Sequence, residues 1–216
     1  MYADSAVMIP ELLKGLPFKF FATSSIDALI HAIESYVSPK ATPYTEMYSI
    51  EATKLIINGY KEIIKNGQEA RIPLLEDFLI ASNYAGIAFA NAGVGAVHAM
   101  SYPLGARYHV PHGESNYAVF TEVFKTYEKL NPKGKISKLN DFLADLLGCS
   151  TENVYDELEK LLDNILPKKP LHEYGTTMDE LVEFTDNVMT KQGRLTANNY
   201  TELNADAVYS IYKSLF

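Results

Sequence analysis

Apolar residues recur every three or four positions along most of this sequence, which is the period of an α-helix rather than of a strand. The clearest case is SSIDALIHAIESYVS, residues 24–38, where Ile26, Leu29, Ile30, Ile33 and Val37 form one apolar stripe. Convincing strand alternation is not visible in the sequence. The chain is therefore predicted to be all-α, a multi-helix domain with a bundle-like arrangement.

Start and stop signals divide the sequence into a series of predicted helices. The first starts at the serines of residues 24–25 and stops at Pro39, and a short one near His98 ends at about Pro103. The others are predicted over residues 42–66, 73–92, 114–130, 135–148, 151–166, 176–190 and 204–215. The segment between the third helix and residue 114 is rich in glycine, which indicates close packing around some feature.

Charge and cysteine content exclude several classes of protein. The net charge is −8 and the pI about 5.1, so general affinity for nucleic acid or for an anionic membrane is not expected. The single cysteine, Cys149, rules out an internal disulfide and fits a reducing cytoplasm. No apolar run approaches the roughly 20 residues of a membrane span. The expected location is the cytoplasm.

An aspartate and a histidine lie four positions apart in the first helix. Asp27 and His31 project to one side of it, a turn apart, where together they can chelate a divalent cation. The competing interpretation is a capping box between Ser24 and Asp27, with His31 in solvent. Glu34 lies on the same face, and either orients His31 or simply faces water.

Three of the five histidines fall in the glycine-rich segment: His98, His109 and His112. One aspartate with two or three histidines suits Fe(II) or Zn(II), with a coordination position left for water or substrate. Tyr102 lies four residues after His98, on the same face of a helix. The alternative is that these glycines and histidines only lie in a loop and bind no metal.

Three motifs, in order, resemble those of the iron-containing (group III) alcohol dehydrogenases, in their C-terminal helical half. They are DALIHAIE (27–34), VHAMSYPLG (97–105) and PHG (111–113). The resemblance implies a dehydroquinate synthase-like helical domain with Asp27, His31, His98 and His112 as ligands of Fe(2+) or Zn(2+). It also implies NAD(H) or NADP(H) as the hydride carrier in the full-length enzyme.

The resemblance also divides the chain and suggests a role for Tyr102. Residues 1–22 match a crossover segment and residues 23–216 the all-α metal-binding domain, so the N-terminal α/β nucleotide-binding domain is expected to be absent. Many members have a relay histidine where this sequence has Tyr102, which either relays a proton or is a buried aromatic. Apart from the resemblance, Arg107 and His109 are candidates for contacting a substrate carboxylate, against the alternative of a surface loop.

Within that family the sequence is most similar to members that act on 4-hydroxybutyrate. The implied reaction interconverts 4-hydroxybutyrate, or a similar short alcohol, and its aldehyde. The chain is expected to be a fragment of such an enzyme and to be inactive alone. The alternative is a non-catalytic helical binding or assembly module with a vestigial metal site. Expected partners are the small alcohol or aldehyde, a separate nucleotide-binding domain and, through exposed apolar surface, a second copy of the chain.

His172 and Cys149 are interpreted as structural, with no partners expected for His172.

Overall fold

The computed structural model describes residues 5–216, and within that range it contains ten α-helices and no strand. The all-α prediction is confirmed. The helices are α1 Phe18–Val37, α2 Pro43–Asn66, α3 Leu75–Ala92, α4 Ala96–Tyr108, α5 His112–Leu130, α6 Lys135–Leu147, α7 Val154–Asp163, α8 Met178–Lys191, α9 Gly193–Thr196 and α10 Ala205–Ser214. Short 3₁₀ turns occupy Pro10–Leu13, Gln68–Leu74, Thr151–Asn153 and Leu171–Tyr174.

Helix α1 is the centre of the fold, since it packs against α2, α3 and α5. Its predicted apolar stripe is buried, and Leu29, Ile30 and Ile33 have no exposed surface at all. Burying a side chain of this kind contributes roughly 1.5–3 kcal/mol. The opposite face of α1, which carries Asp27 and His31, is turned towards α4 and α5 rather than fully towards solvent.

Helix α1 begins six residues earlier than the sequence suggested. It starts at Phe18, after Pro17, whose carbonyl accepts the amide protons of Phe20 and Phe21. Ser24 therefore lies in the second turn, and the competing interpretation of a capping box with Asp27 is wrong. The expected domain junction at residues 22–23 falls inside this helix, and residues 1–4 of the crossover segment lie outside the described residues.

Helix α4 does not end at Pro103, as predicted, but continues to Tyr108. A proline inside a helix removes one hydrogen bond, and tertiary contacts can offset that loss. Here Leu104 is buried just after the proline, and the Tyr108 hydroxyl donates to Glu180 of α8 at 2.6 Å. His109 then ends the helix in the left-handed conformation, with φ at 54°.

Helices α1 and α5 meet closely where α5 begins. Gly113 is the second residue of α5, and a Cβ atom there would overlap the carbonyl group of Thr23 and lie 3.1 Å from the Cβ of Asp27. Only glycine permits this approach. The approach places His112, the first residue of α5, beside Asp27.

Among residues 5–216 no helix combines the length and the apolar character needed to cross a membrane.

Candidate metal centre

Four side chains from three helices converge at the polar face of α1, the face that is turned towards α4 and α5. Asp27 and His31 come from α1, His98 from the first turn of α4, and His112 from the first residue of α5. Each offers one ligand atom, and the four atoms all lie within 4.8 Å of one another. The packing of α4 and α5 on α1 thus brings residues that are far apart in the sequence to one point.

The separations within this cluster suit a small divalent cation. The Nε2 atoms of His31 and His98 are 3.1 Å apart, and the Asp27 Oδ1 atom lies 3.8 Å from His98 Nε2 and 3.7 Å from His112 Nε2. Ligands at about 2.1 Å from a tetrahedral centre are roughly 3.4 Å apart. One carboxylate with three imidazoles is also a donor set that Fe(II) and Zn(II) accept.

Burial keeps two of these imidazoles in the neutral form that a metal ligand requires. Desolvation lowers the pKa of His31 to about 4, because its attraction to Asp27 only partly offsets burial and the repulsion of the neighbouring histidines. Desolvation likewise lowers the pKa of His112 below its ordinary value. Both rings therefore keep a lone pair available at neutral pH.

Glu34 is buried beneath the cluster rather than facing solvent, and it contacts His98 rather than the expected His31. Its Oε2 atom lies 2.5 Å from His98 Nδ1, and its Oε1 atom accepts the amide protons of Gly95 at 3.1 Å and Val97 at 2.8 Å. A carboxylate can only accept, so His98 carries its proton on Nδ1 and presents a free Nε2 to the cluster. Glu34 also caps the amino end of α4, which Gly95 cannot cap with a side chain.

Two further residues of the site were not found from the sequence. Asn116 lies one turn after His112 on α5 and has no exposed surface, and its amide nitrogen contacts Asp27, His98 and His112. Phe89 of α3 packs against His31 with its ring centroid 4.7 Å away. The i, i+4 spacing from His112 was the available signal for Asn116.

A cleft of about 560 Å³ opens beside the cluster. Its walls come from α1, α3 and the start of α5, and they include Asp27, His31, Phe89 and His112. This volume falls within the usual range for small-molecule sites, roughly 300–1,000 Å³. A small substrate in the cleft would reach the cluster directly.

Three other residues were predicted to belong to the site, and none of them is among the described residues that line this cleft. Tyr102 is half-buried on α4, with its ring centroid 6.0 Å from that of His112. The Arg107 guanidinium is paired with Glu180 at 2.7 Å and Glu183 at 2.6 Å, so its charge is already matched. Neither Arg107 nor His109 is among the described residues that line the cleft. Substrate binding by Arg107 is therefore not supported.

Two residues interpreted as structural also have defined surroundings. The His172 imidazole contacts the Phe216 carbonyl oxygen, so the expectation that it has no partners is wrong. Cys149 follows the end of α6, where burial and the nearby Glu157 raise the pKa of its thiol. A raised pKa disfavours the thiolate and hence nucleophilic chemistry.

Comparison with known proteins assigns this arrangement to a family. Residues 21–216 match the family model described as "Fe-containing alcohol dehydrogenase family, C-terminal". The chain is 55% identical over 216 residues to 4-hydroxybutyrate dehydrogenase of Clostridium kluyveri, covering 100% of this chain and 58% of that protein. It is 30% identical over 222 residues to long-chain-alcohol dehydrogenase 1 of Geobacillus thermodenitrificans, covering 100% and 55%.

Solved structures show the same fold. A crystal structure of 1,3-propanediol oxidoreductase superposes with a TM-score of 0.82 at 26% identity, covering 96% of this chain and 54% of that one. The chain spans between 55% and 58% of the length of the two curated relatives above.

Proposed function

This chain belongs to the Fe-containing alcohol dehydrogenase family, and on that premise we propose that it is the metal-binding helical part of a nicotinamide-dependent alcohol dehydrogenase. The observation that carries the proposal is the convergence of four ligand atoms from α1, α4 and α5 within 4.8 Å. Asp27, His31, His98 and His112 would hold Fe(2+) or Zn(2+), and NAD(H) or NADP(H) would carry the hydride.

Each residue around the cluster has a definable task in such a reaction. When bound, the cation supplies Lewis-acid stabilisation of negative charge on the substrate oxygen. Glu34 keeps the His98 proton on Nδ1, so that Nε2 stays free. Phe89 shields one side of His31 from water. Tyr102, next to His112, is the candidate for moving the substrate hydroxyl proton.

The substrate we propose is 4-hydroxybutyrate or a similar short alcohol, interconverted with its aldehyde. The support is the 55% identity to a 4-hydroxybutyrate dehydrogenase over the whole of this chain. The cleft volume of about 560 Å³ accommodates a short-chain molecule beside Asp27 and His31.

We also propose that an apolar surface beside the cleft meets a nucleotide-binding domain. Phe20 and Phe89 both line the cleft and remain 58% and 39% exposed. Exposed apolar residues so grouped favour association. The isolated chain is therefore expected to have negligible alcohol oxidation and to self-associate.

A chimera tests this function directly. The segment of the Clostridium kluyveri 4-hydroxybutyrate dehydrogenase that matches this chain is replaced by the whole of this 216-residue chain. The chimera is expected to oxidise 4-hydroxybutyrate with a nicotinamide cofactor, because the helical part would supply the metal and one wall of the cleft. Absorbance of the reduced cofactor at a series of substrate concentrations is the measurement.

The His98→Ala chimera and the isolated chain serve as controls, and both should be inactive. A folded, metal-loaded chimera that oxidises no short alcohol would contradict the proposal and favour a binding or assembly module. Turnover by the isolated chain comparable to that of the chimera would contradict the need for a second domain.

A further inference from the structure

Asn116 lies outside the proposed ligand set, yet its side chain is in direct contact with members of that set. It has no exposed surface, and its Nδ2 atom lies 2.7 Å from Asp27 Oδ1. The same nitrogen lies 3.1 Å from His98 Nε2 and 3.1 Å from His112 Nε2. One amide group therefore touches three of the four proposed ligand residues, and these come from three different helices.

The orientation of this amide follows from its neighbours. The Asp27 carboxylate oxygen can only accept a hydrogen bond, so the amide nitrogen, and not the amide oxygen, must face it. The His98 proton is held on Nδ1 by Glu34, so His98 Nε2 is also an acceptor. Both Asp27 Oδ1 and His98 Nε2 can thus accept a hydrogen bond from the Asn116 nitrogen.

The bond to Asp27 is the one that is compatible with a bound cation. A carboxylate oxygen has two lone pairs and can accept from an amide while binding a metal, whereas an imidazole nitrogen has only one. At 2.7 Å this bond to a charged acceptor is also shorter than the other two. Asn116 sits on α5 and Asp27 on α1, so the bond fixes one helix relative to the other at the site.

We propose that Asn116 is a positioning residue of the metal centre, which fixes the Asp27 carboxylate and, through that bond, holds α5 with His112 in place against α1. This inference rests on the proposed metal site and adds to it a residue outside the ligand set. Partners that orient metal ligands typically change metal affinity by 10–100-fold when they are removed.

The test is a titration of the full 216-residue chain with Co²⁺ alone, followed by the visible absorption of the bound ion. The Asn116→Leu variant keeps the branched shape of the side chain and removes the amide, and it is expected to raise the Kd for Co²⁺ by about 10–100-fold and to alter the absorption bands. Asn116→Ala provides a second variant if the leucine disturbs packing. Circular dichroism verifies that each variant is folded.

Asn140→Leu is the matched control. Asn140 is also a buried asparagine, but its amide donates to Glu128 at 2.7 Å and its carbonyl accepts from Tyr155 at 2.6 Å. This control should lose stability while its Kd for Co²⁺ stays close to that of the wild type.

Three results would overturn the inference. Folded Asn116 variants that bind Co²⁺ as tightly as the wild type, with unchanged bands, would remove Asn116 from the site while leaving the metal site itself intact. Equal weakening in Asn140→Leu would show a general effect of a disturbed core. A wild-type chain that binds no Co²⁺ would overturn the proposed metal site together with this role of Asn116.

Discussion

Replacing Glu34 by glutamine is expected to weaken metal binding by roughly 100-fold while the chain stays folded. The amide protons of Gly95 and Val97 need an acceptor, so the glutamine oxygen would face them and its NH₂ group would face His98. The NH₂ group would donate to His98 Nδ1 and move the ring proton to Nε2, the atom that points into the cluster. Titration with Zn²⁺ against a chromophoric chelator measures the loss.

Glu128→Gln is the matched control, since Glu128 accepts a hydrogen bond from Asn140 and does not contact the cluster ligands. It should bind Zn²⁺ like the wild type. Glu34→Ala should additionally destabilise the fold, because it leaves two buried amide groups without an acceptor, at about 1–3 kcal/mol each. Wild-type affinity in a folded Glu34→Gln variant would show that this carboxylate does not set the His98 proton.

Replacing Gly113 by alanine is expected to lower the free energy of unfolding by about 3 kcal/mol and to weaken metal binding as well. The new Cβ atom would overlap the Thr23 carbonyl group, which is backbone inside α1 and cannot rotate away. Helix α5 must then move from α1 and carry His112 away from Asp27. Chemical denaturation and metal titration of the same sample measure the two effects.

Gly105→Ala is the comparison, because a Cβ atom there would meet only Ser115 Oγ at 3.5 Å and the Val110 carbonyl at 3.6 Å. Inside helix α4 this change should be neutral or stabilising by up to about 1 kcal/mol. Equal stability of Gly113→Ala and the wild type would show that the close approach of the two helices is not needed.

The sequence predicted the helical class and the apolar face of α1, because both depend on local periodicity. The Asp27–His31 pair was also visible, since residues four apart on a helix always share a side. The start of α1 was misplaced because Ser24 and Asp27 imitate a capping box, whereas Pro17 is the true boundary. The end of α4 was misplaced because tertiary contacts outweigh the local effect of Pro103.

What the sequence could not supply was the neighbour of each polar side chain. Glu34 shares a helical face with Asp27 and His31, but only the packing of α4 on α1 places it under His98. Asn116 carried no motif that marked it, and Arg107 looked like a free cation until α8 supplied two carboxylates. Such contacts join elements far apart in sequence, and no local pattern encodes them.

The central claim is that this chain holds one divalent cation through Asp27, His31, His98 and His112. Equilibrium dialysis against Fe²⁺ without oxygen, or against Zn²⁺, followed by elemental analysis of the purified chain tests it most directly. We expect one ion per chain in the wild type and in His172→Ala, whose imidazole instead contacts Phe216, and none above background in His98→Ala. A wild-type chain without bound metal, or a His98→Ala chain that binds it equally well, would contradict the claim.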